Sequence, residues 1–160
     1  MTTQEVRQHV VDIIADIAVD FIDEGDNIIL GAGTTTLYVA RALAQQEKEV
    51  SIITNSLIIV QEAANFPSLK LTLLGGVLDY ENMESIGSAT LTTLQQHIVD
   101  KAFVSVNALD VKHGALTIFE QNAMLYRTMI DVSRENFVLS DSSKLTKKAT
   151  HVAVTMGQLD

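Results

Sequence analysis

Apolar residues follow two alternating rhythms along this chain. Val6, Val10, Ile13, Ile14, Ile17 and Phe21 recur at helical spacing, which predicts a helix over 3–24, with Gly25 where a C-cap is expected. Short aliphatic runs predict strands at 28–30, 50–54, 69–76, 101–106, 136–140 and 151–156. Between them the 3.6-residue period predicts helices over 35–44, 56–65, 87–97 and 121–133, with a break at Pro67 and a loop after 106. Short buried strands alternating with helices indicate the α/β class: a Rossmann-like, mostly parallel sheet with helices on both faces. No internal repeat, low-complexity tract or linker interrupts the pattern, so residues 1–160 read as a single domain.

Composition narrows the function classes. With 47% hydrophobic and 19% charged residues in 160, the chain can bury a proper core. The absence of cysteine excludes disulfides and thiolate metal sites. The start is amphipathic and acidic, unlike a signal peptide, and no apolar run reaches membrane-spanning length, so the cytoplasm is expected and no membrane partner. Twenty acids against eleven bases give a net charge of -9, and the bases are scattered apart from Lys144, Lys147 and Lys148. Nucleic-acid affinity comes mostly from neutralised phosphates, which makes this chain by itself a poor DNA or RNA binder. A pocket for a small anion remains open to it, because that needs only one or two local cations.

In parallel α/β sheets ligands bind beyond the carboxyl ends of the strands. Here those ends carry Gly31-Ala32-Gly33-Thr34-Thr35-Thr36, Thr54-Asn55-Ser56, Gly75-Gly76, Asn107 and Asp141-Ser142-Ser143-Lys144. Each has an ordinary alternative, as turn glycine, helix cap or solvated loop; five in succession point to a pocket. The first loop lacks the lysine of a Walker A motif, and Thr36 stands where a dinucleotide fingerprint needs its third glycine. What remains is a single phosphate seated on a helix N-terminus by N–H groups and hydroxyls. Lys144 supplies the formal positive charge; Lys101 lies at a strand start, at the opposite edge of the sheet. His9, His97, His113 and His151 show no metal-ligand spacing, and neither a G-x-S-x-G elbow nor H-E-x-x-H occurs, so neither a metal nor a cofactor is expected.

Five short stretches occur in a telling order: "GTTT" after an aliphatic strand, "ITNSL" at 53–57, "LLGG" at 73–76, "VDKAF" at 99–103 and "SDSSK" at 140–144. In this register the chain, from about residue 5 onward, resembles the C-terminal sensor domain of DeoR-family bacterial transcriptional regulators. The resemblance implies a fold related to ribose-5-phosphate isomerase, glucosamine-6-phosphate deaminase and CoA transferases. It also implies a non-enzymatic function: binding a phosphorylated sugar or related metabolite and thereby altering DNA binding by an N-terminal helix-turn-helix domain. On that reading residues 1–25 lead from a DNA-binding domain absent here, and the protein is a homo-oligomer, a dimer or tetramer. The ligand-binding residues expected are Gly31, Gly33, Thr34, Thr35, Thr36, Thr54, Asn55, Gly75, Gly76, Asn107, Glu120, Asp141 and Lys144.

The chain departs from the family pattern at three places. Gly31 stands where an acid is common, Ser105-Val106-Asn107-Ala108 replaces a glycine-containing stretch, and Asn122-Ala123 replaces a Glu-Ala pair, with Glu120 just before it. These departures bear on ligand identity more than on fold. Two other functions stay open: a sugar-phosphate isomerase on the same fold, and an oligomerisation module with a degenerate pocket. Isomerisation needs a carboxylate base aimed at a carbon-bound proton. The isomerases carry an aspartate where this chain has Asn107, and an amide is no general base, so the residue favours binding without turnover.

Overall fold

The computed structural model describes residues 1–160. Helix α1 (Thr3–Asp20) starts on a capping box between Thr2 and Glu5, and then come β1 (Asn27–Leu30), α2 (Thr34–Gln45), β2 (Val50–Thr54), α3 (Leu57–Ala63) and β3 (Leu69–Leu73). A small hairpin, β4 (Val77–Asp79) and β5 (Glu84–Ile86), precedes α4 (Ser88–Leu94) and β6 (Val99–Ser105). The second half adds a hairpin of β7 (Ala108–Asp110) and β8 (Gly114–Thr117), then α5 (Glu120–Asp131), β9 (Ser133–Leu139), a 3-10 turn (Ser142–Thr146) and β10 (His151–Val154).

Five strands form one sheet in the order β3-β2-β1-β6-β9, every neighbouring pair parallel. Period-2 alternation sends successive side chains to opposite faces. Ile28, Leu30, Ile52 and Phe103 join α1, α2 and α3 in one core, whereas Ile29, Ile53, Ala102 and Val104 join α4 and α5 in the other. Covering both faces is what lets these strands be almost wholly aliphatic. The expected parallel sheet with helices on both faces is the observed architecture.

Four expectations need correction. The strand expected at 151–156 is absent from the main sheet: β10 pairs antiparallel with β8, in a separate sheet ordered β10-β8-β7. The loop expected after 106 contains the β7–β8 hairpin, and the run expected as strand to Gly76 stops at Leu73 and gives way to the β4–β5 hairpin. Strands of three or four residues such as "VLD", "ESI" and "ALD" are too short for an alternation to register. Helix α1 also ends earlier than expected, capped at Phe21; Gly25 (φ +85) instead turns the following loop, donating its amide to the Glu49 carbonyl at 2.7 Å.

Candidate functional site

The chain leaves β1 toward β2 on one side, while β6 and β9 lie on the other. The strand order therefore reverses between β1 and β6, and the loops after these two strands diverge to open a crevice. A cavity of about 440 Å³ occupies this point. Its walls come from the loop into α2, the Ser56 cap of α3, the β4–β5 hairpin, the end of β6, the start of α5 and the turn after β9.

The floor is the N-terminus of α2. Its cap residue, Gly33, has no side chain to offer, and the amides of Thr34, Thr35 and Thr36 have no protein acceptor. Gly33 sits close against Ser105: a Cβ there would displace the Ser105 hydroxyl. The loop is pinned from beneath. Thr36 Oγ1 donates to the Gly31 carbonyl at 2.5 Å, the Ala32 amide donates to Asn55 Oδ1 at 3.0 Å, and the Tyr126 hydroxyl donates to the Ala32 carbonyl at 3.1 Å. Pre-set amides and a helix dipole make this an anion-binding surface.

Lys144 stands at the far wall, on the 3-10 turn capped by Asp141. Asp141 Oδ1 accepts from the Ser143 amide at 2.7 Å, and hydrogen bonding from Ser143 holds this carboxyl below its usual range. Lys144 is half-buried, unlike the exposed Lys147 and Lys148, and burial together with the charge of Lys147 lowers its pKa. It is the one basic side chain on the cavity wall.

Of the residues expected at the site, Gly33, Thr34, Thr35, Asn107, Asp141 and Lys144 line this cavity. The others do not. Gly31 is buried under Tyr126, and a Cβ on it would lie only 3.3 Å from that ring, so a larger residue would need the ring to give way. Thr36 and Asn55 are wholly buried and hold the loop; Thr54 is buried and accepts from the Ser56 amide at 3.1 Å. Gly75 and Gly76 pack on α4: Thr90 Oγ1 donates to the Gly75 carbonyl, and a Cβ on Gly76 (φ +149) would collide with that hydroxyl oxygen. Glu120 is exposed at the start of α5, outside the cavity wall. Asn107 is partly committed, since its Oδ1 accepts from the Ile118 amide at 3.1 Å.

Ser56, from the strand-end stretch 54–56, also lines the cavity, as do Asn82, Glu81, Glu84, Phe119, Tyr126 and Ser140, which were not expected to. Glu84 is the most consequential. The hairpin that carries it is bridged to Ser56, and the Met83 carbonyl accepts from the Leu57 amide at 2.9 Å, so the side chain is swung inward and left 3% exposed. Asn122 Nδ2 donates to Glu84 Oε1 at 3.1 Å, and burial raises the glutamate's pKa. Asn122 and Ser105, visible in the sequence only as departures from a family pattern, both belong to the wall. No group of three or more His, Asp or Glu side chains is placed to hold a metal ion.

Comparison with known proteins agrees with this fold. The family model of the DeoR C terminal sensor domain matches residues 11–160. The transcriptional repressor AccR of Agrobacterium fabrum is 34% identical over 140 residues, covering 87% of this chain and 54% of that protein. The HTH-type transcriptional repressor GlcR of Bacillus subtilis is 29% identical over 147 residues, 92% of this chain and 56% of that protein. The chain thus spans about half the length of the curated relatives it matches. Among solved structures, ribose 5-phosphate isomerase A from Methanocaldococcus jannaschii superposes with a TM-score of 0.63 at 21% identity, covering 88% of this chain and 56% of the other. The eIF2B delta subunit from Chaetomium thermophilum does so with a TM-score of 0.64 at 12% identity, covering 91% and 53%. At such identities these two likenesses speak for the fold alone, which is the one expected.

Proposed function

The chain belongs to the family of DeoR C terminal sensor domains, and on that premise we propose that its 440 Å³ cavity binds a phosphorylated sugar or related metabolite. The phosphate rests on the amides and hydroxyls of Thr34 and Thr35, with Lys144 as its counter-charge, and the sugar hydroxyls meet Asp141 and the Asn107 amide. Occupancy alters DNA binding by a helix-turn-helix domain N-terminal to α1 in a full-length cytoplasmic regulator. The observation that carries this reading is the convergence of unpaired helix-start amides and a half-buried lysine on one cavity.

The domain works by binding, without turnover. Its isomerase-like fold and the buried Glu84 favour the enzymatic alternative, but Asn107 offers no base and its carbonyl oxygen is already engaged. Self-association completes the reading. Ile13, Ile17 and Phe21 remain 45%, 54% and 52% exposed on α1, beside a groove shared with Phe137, Val138 and Leu159 along the edge strand β9. A second copy of the chain covers this face, and sedimentation at about 50 µM should show a dimer or larger; a monomer would remove that element.

The test is thermal unfolding against pentose and hexose phosphates. A ligand at 100 times its Kd stabilises the native state by about 2.7 kcal/mol, a rise in Tm of roughly 5–10 °C for a chain of this size. A flat response to the whole panel would favour a degenerate pocket. Interconversion of aldose and ketose phosphates during incubation would make the protein an enzyme instead.

A further inference from the structure

Glu84 is a carboxylate in an unusual position. It is 3% exposed, lines the cavity, and has no cation within ion-pairing distance. Its one side-chain hydrogen bond is the neutral contact from Asn122 to Oε1. The second oxygen, Oε2, meets no protein donor. No fully enclosed side-chain oxygen or nitrogen in the structure lacks a partner, so Oε2 is not sealed in, and the opening that Glu84 lines is the cavity. A buried carboxylate with one free oxygen aimed into a cavity is a recognition group awaiting a donor.

The surrounding charge specifies the donor. The cavity wall carries Glu81, Glu84 and Asp141 against Lys144, so a ligand phosphate already enters a site with excess negative charge. Asp79, on the same hairpin, adds to the negative field at Glu84. Asp141 is served by Ser143 and by Lys144 nearby, and Glu81 is exposed to water, which leaves Glu84 as the unserved buried acid. A sugar hydroxyl would satisfy the geometry but leave the charge uncompensated in a place water reaches poorly. An ammonium group satisfies both, with a charge-assisted hydrogen bond.

Resting on the phosphosugar reading above, we infer that the preferred ligand is zwitterionic: a phosphorylated sugar carrying a free amine, its phosphate at Thr34, Thr35 and Lys144 and its ammonium at Glu84. Asn122 positions the carboxylate by holding the other oxygen, so the pair reads the amine from one fixed direction.

Calorimetric titration with matched amine and hydroxyl probes tests this. The probes are glucosamine 6-phosphate against glucose 6-phosphate, and galactosamine 6-phosphate against galactose 6-phosphate, each at pH 7, with inorganic phosphate as a further arm. In at least one pair the amine should bind ten times or more tighter than its hydroxyl partner. In Glu84→Gln, shown to be folded by its unfolding transition, that ratio should fall to about two or less. Equal affinities within both pairs, or a preference that survives Glu84→Gln, would overturn the inference while phosphate and hydroxyl-sugar binding leave the phosphosugar reading standing. If none of the five compounds binds, this inference falls, and the phosphosugar reading falls with it only if the pentose phosphates of the thermal panel are also without effect.

Discussion

The two ends of the parallel sheet treat charge in opposite ways. At the amino end Lys101, 6% exposed, is enclosed by its own chain: its Nζ donates to Asp26 at 2.6 Å and to Asp23 at 3.0 Å. Burial alone would lower its pKa, but these two carboxylates reverse the sign and raise it. Nearby, Lys48 donates to the Ile22 carbonyl at 2.6 Å, and the Asn27 amide donates to Asp100 at 2.8 Å. Donors and acceptors there are matched within the protein. At the carboxyl end Lys144 faces a cavity, Glu84 keeps a free oxygen, and the first amides of α2 have no acceptor. A completed polar cluster stabilises a fold, whereas an incomplete one is finished by something that binds. On the proposed reading, the same residue types serve structure at one end and recognition at the other.

The sharpest way to break this contrast is to fill the open end with charge. Thr35→Glu places a carboxylate at the first turn of α2, where it favours the helix and opposes a phosphate. Two unit charges 4 Å apart at an effective dielectric of about 20 repel by about 4 kcal/mol. Phosphosugar stabilisation should vanish in a thermal-shift assay while the protein's own Tm holds. Undiminished binding would move the phosphate away from α2.

The closed end should answer with stability instead. Lys101→Met keeps an apolar stem but strands Asp26, which is mostly buried, without its cation. Removing one partner of a buried pair costs about 3–5 kcal/mol, and the open side of Asp23 favours the lower figure. Denaturant unfolding should show that loss, with ligand affinity corrected for folding unchanged. A comparable loss of affinity would mean that the two ends are coupled.

Lys144→Met is the converse and smaller test. Deleting one charge-assisted contact should weaken phosphosugar binding by about 1.5–3 kcal/mol, tenfold or more, with little change in unfolding. Lys147→Met, exposed on the same turn, is the control and should alter affinity less than threefold. Equal small losses in both would reduce Lys144 to general surface electrostatics.

What could be read from the sequence divides along the same line. The parallel sheet was legible because its strands are uninterrupted aliphatic runs, and the loops at 31–36 and 141–144 because they follow those strands directly. Proximity to a strand end does not say which way a side chain turns. Gly33, Thr34 and Thr35 reach the cavity, whereas Thr36, two steps around the same helix from Thr34, is buried beneath it. Thr54 and Asn55 sit at a strand end, yet Thr54 is consumed in its own turn to Ser56 and Asn55 in holding the loop at Ala32. Glu84 was illegible. "YENMESIG" offers only a short polar stretch, and the bridge to Ser56, a helix and two strands earlier in the chain, turns its carboxylate inward.

The smallest expected effect, on stability rather than affinity, also separates the two ends by sign. Burial raises the Glu84 pKa, so between the unfolded glutamate value near 4.5 and its higher folded value the native state holds more protons than the unfolded one. Stability contributed by the neutral form is present below that window and is lost as pH rises through it. Glu84→Gln keeps the shape and an oxygen to accept from Asn122 but never ionises. At pH 7 the variant should therefore be the more stable protein, with the higher Tm. The difference should close as pH falls toward 4. Asp141 runs the other way, since its pKa is depressed and its contribution is present above the unfolded aspartate value near 3.8 and lost on acidification. A Glu84→Gln variant less stable than the parent at pH 7 would mean that the carboxylate is already neutralised inside the fold, and that the carboxyl end of the sheet is as complete as the amino end.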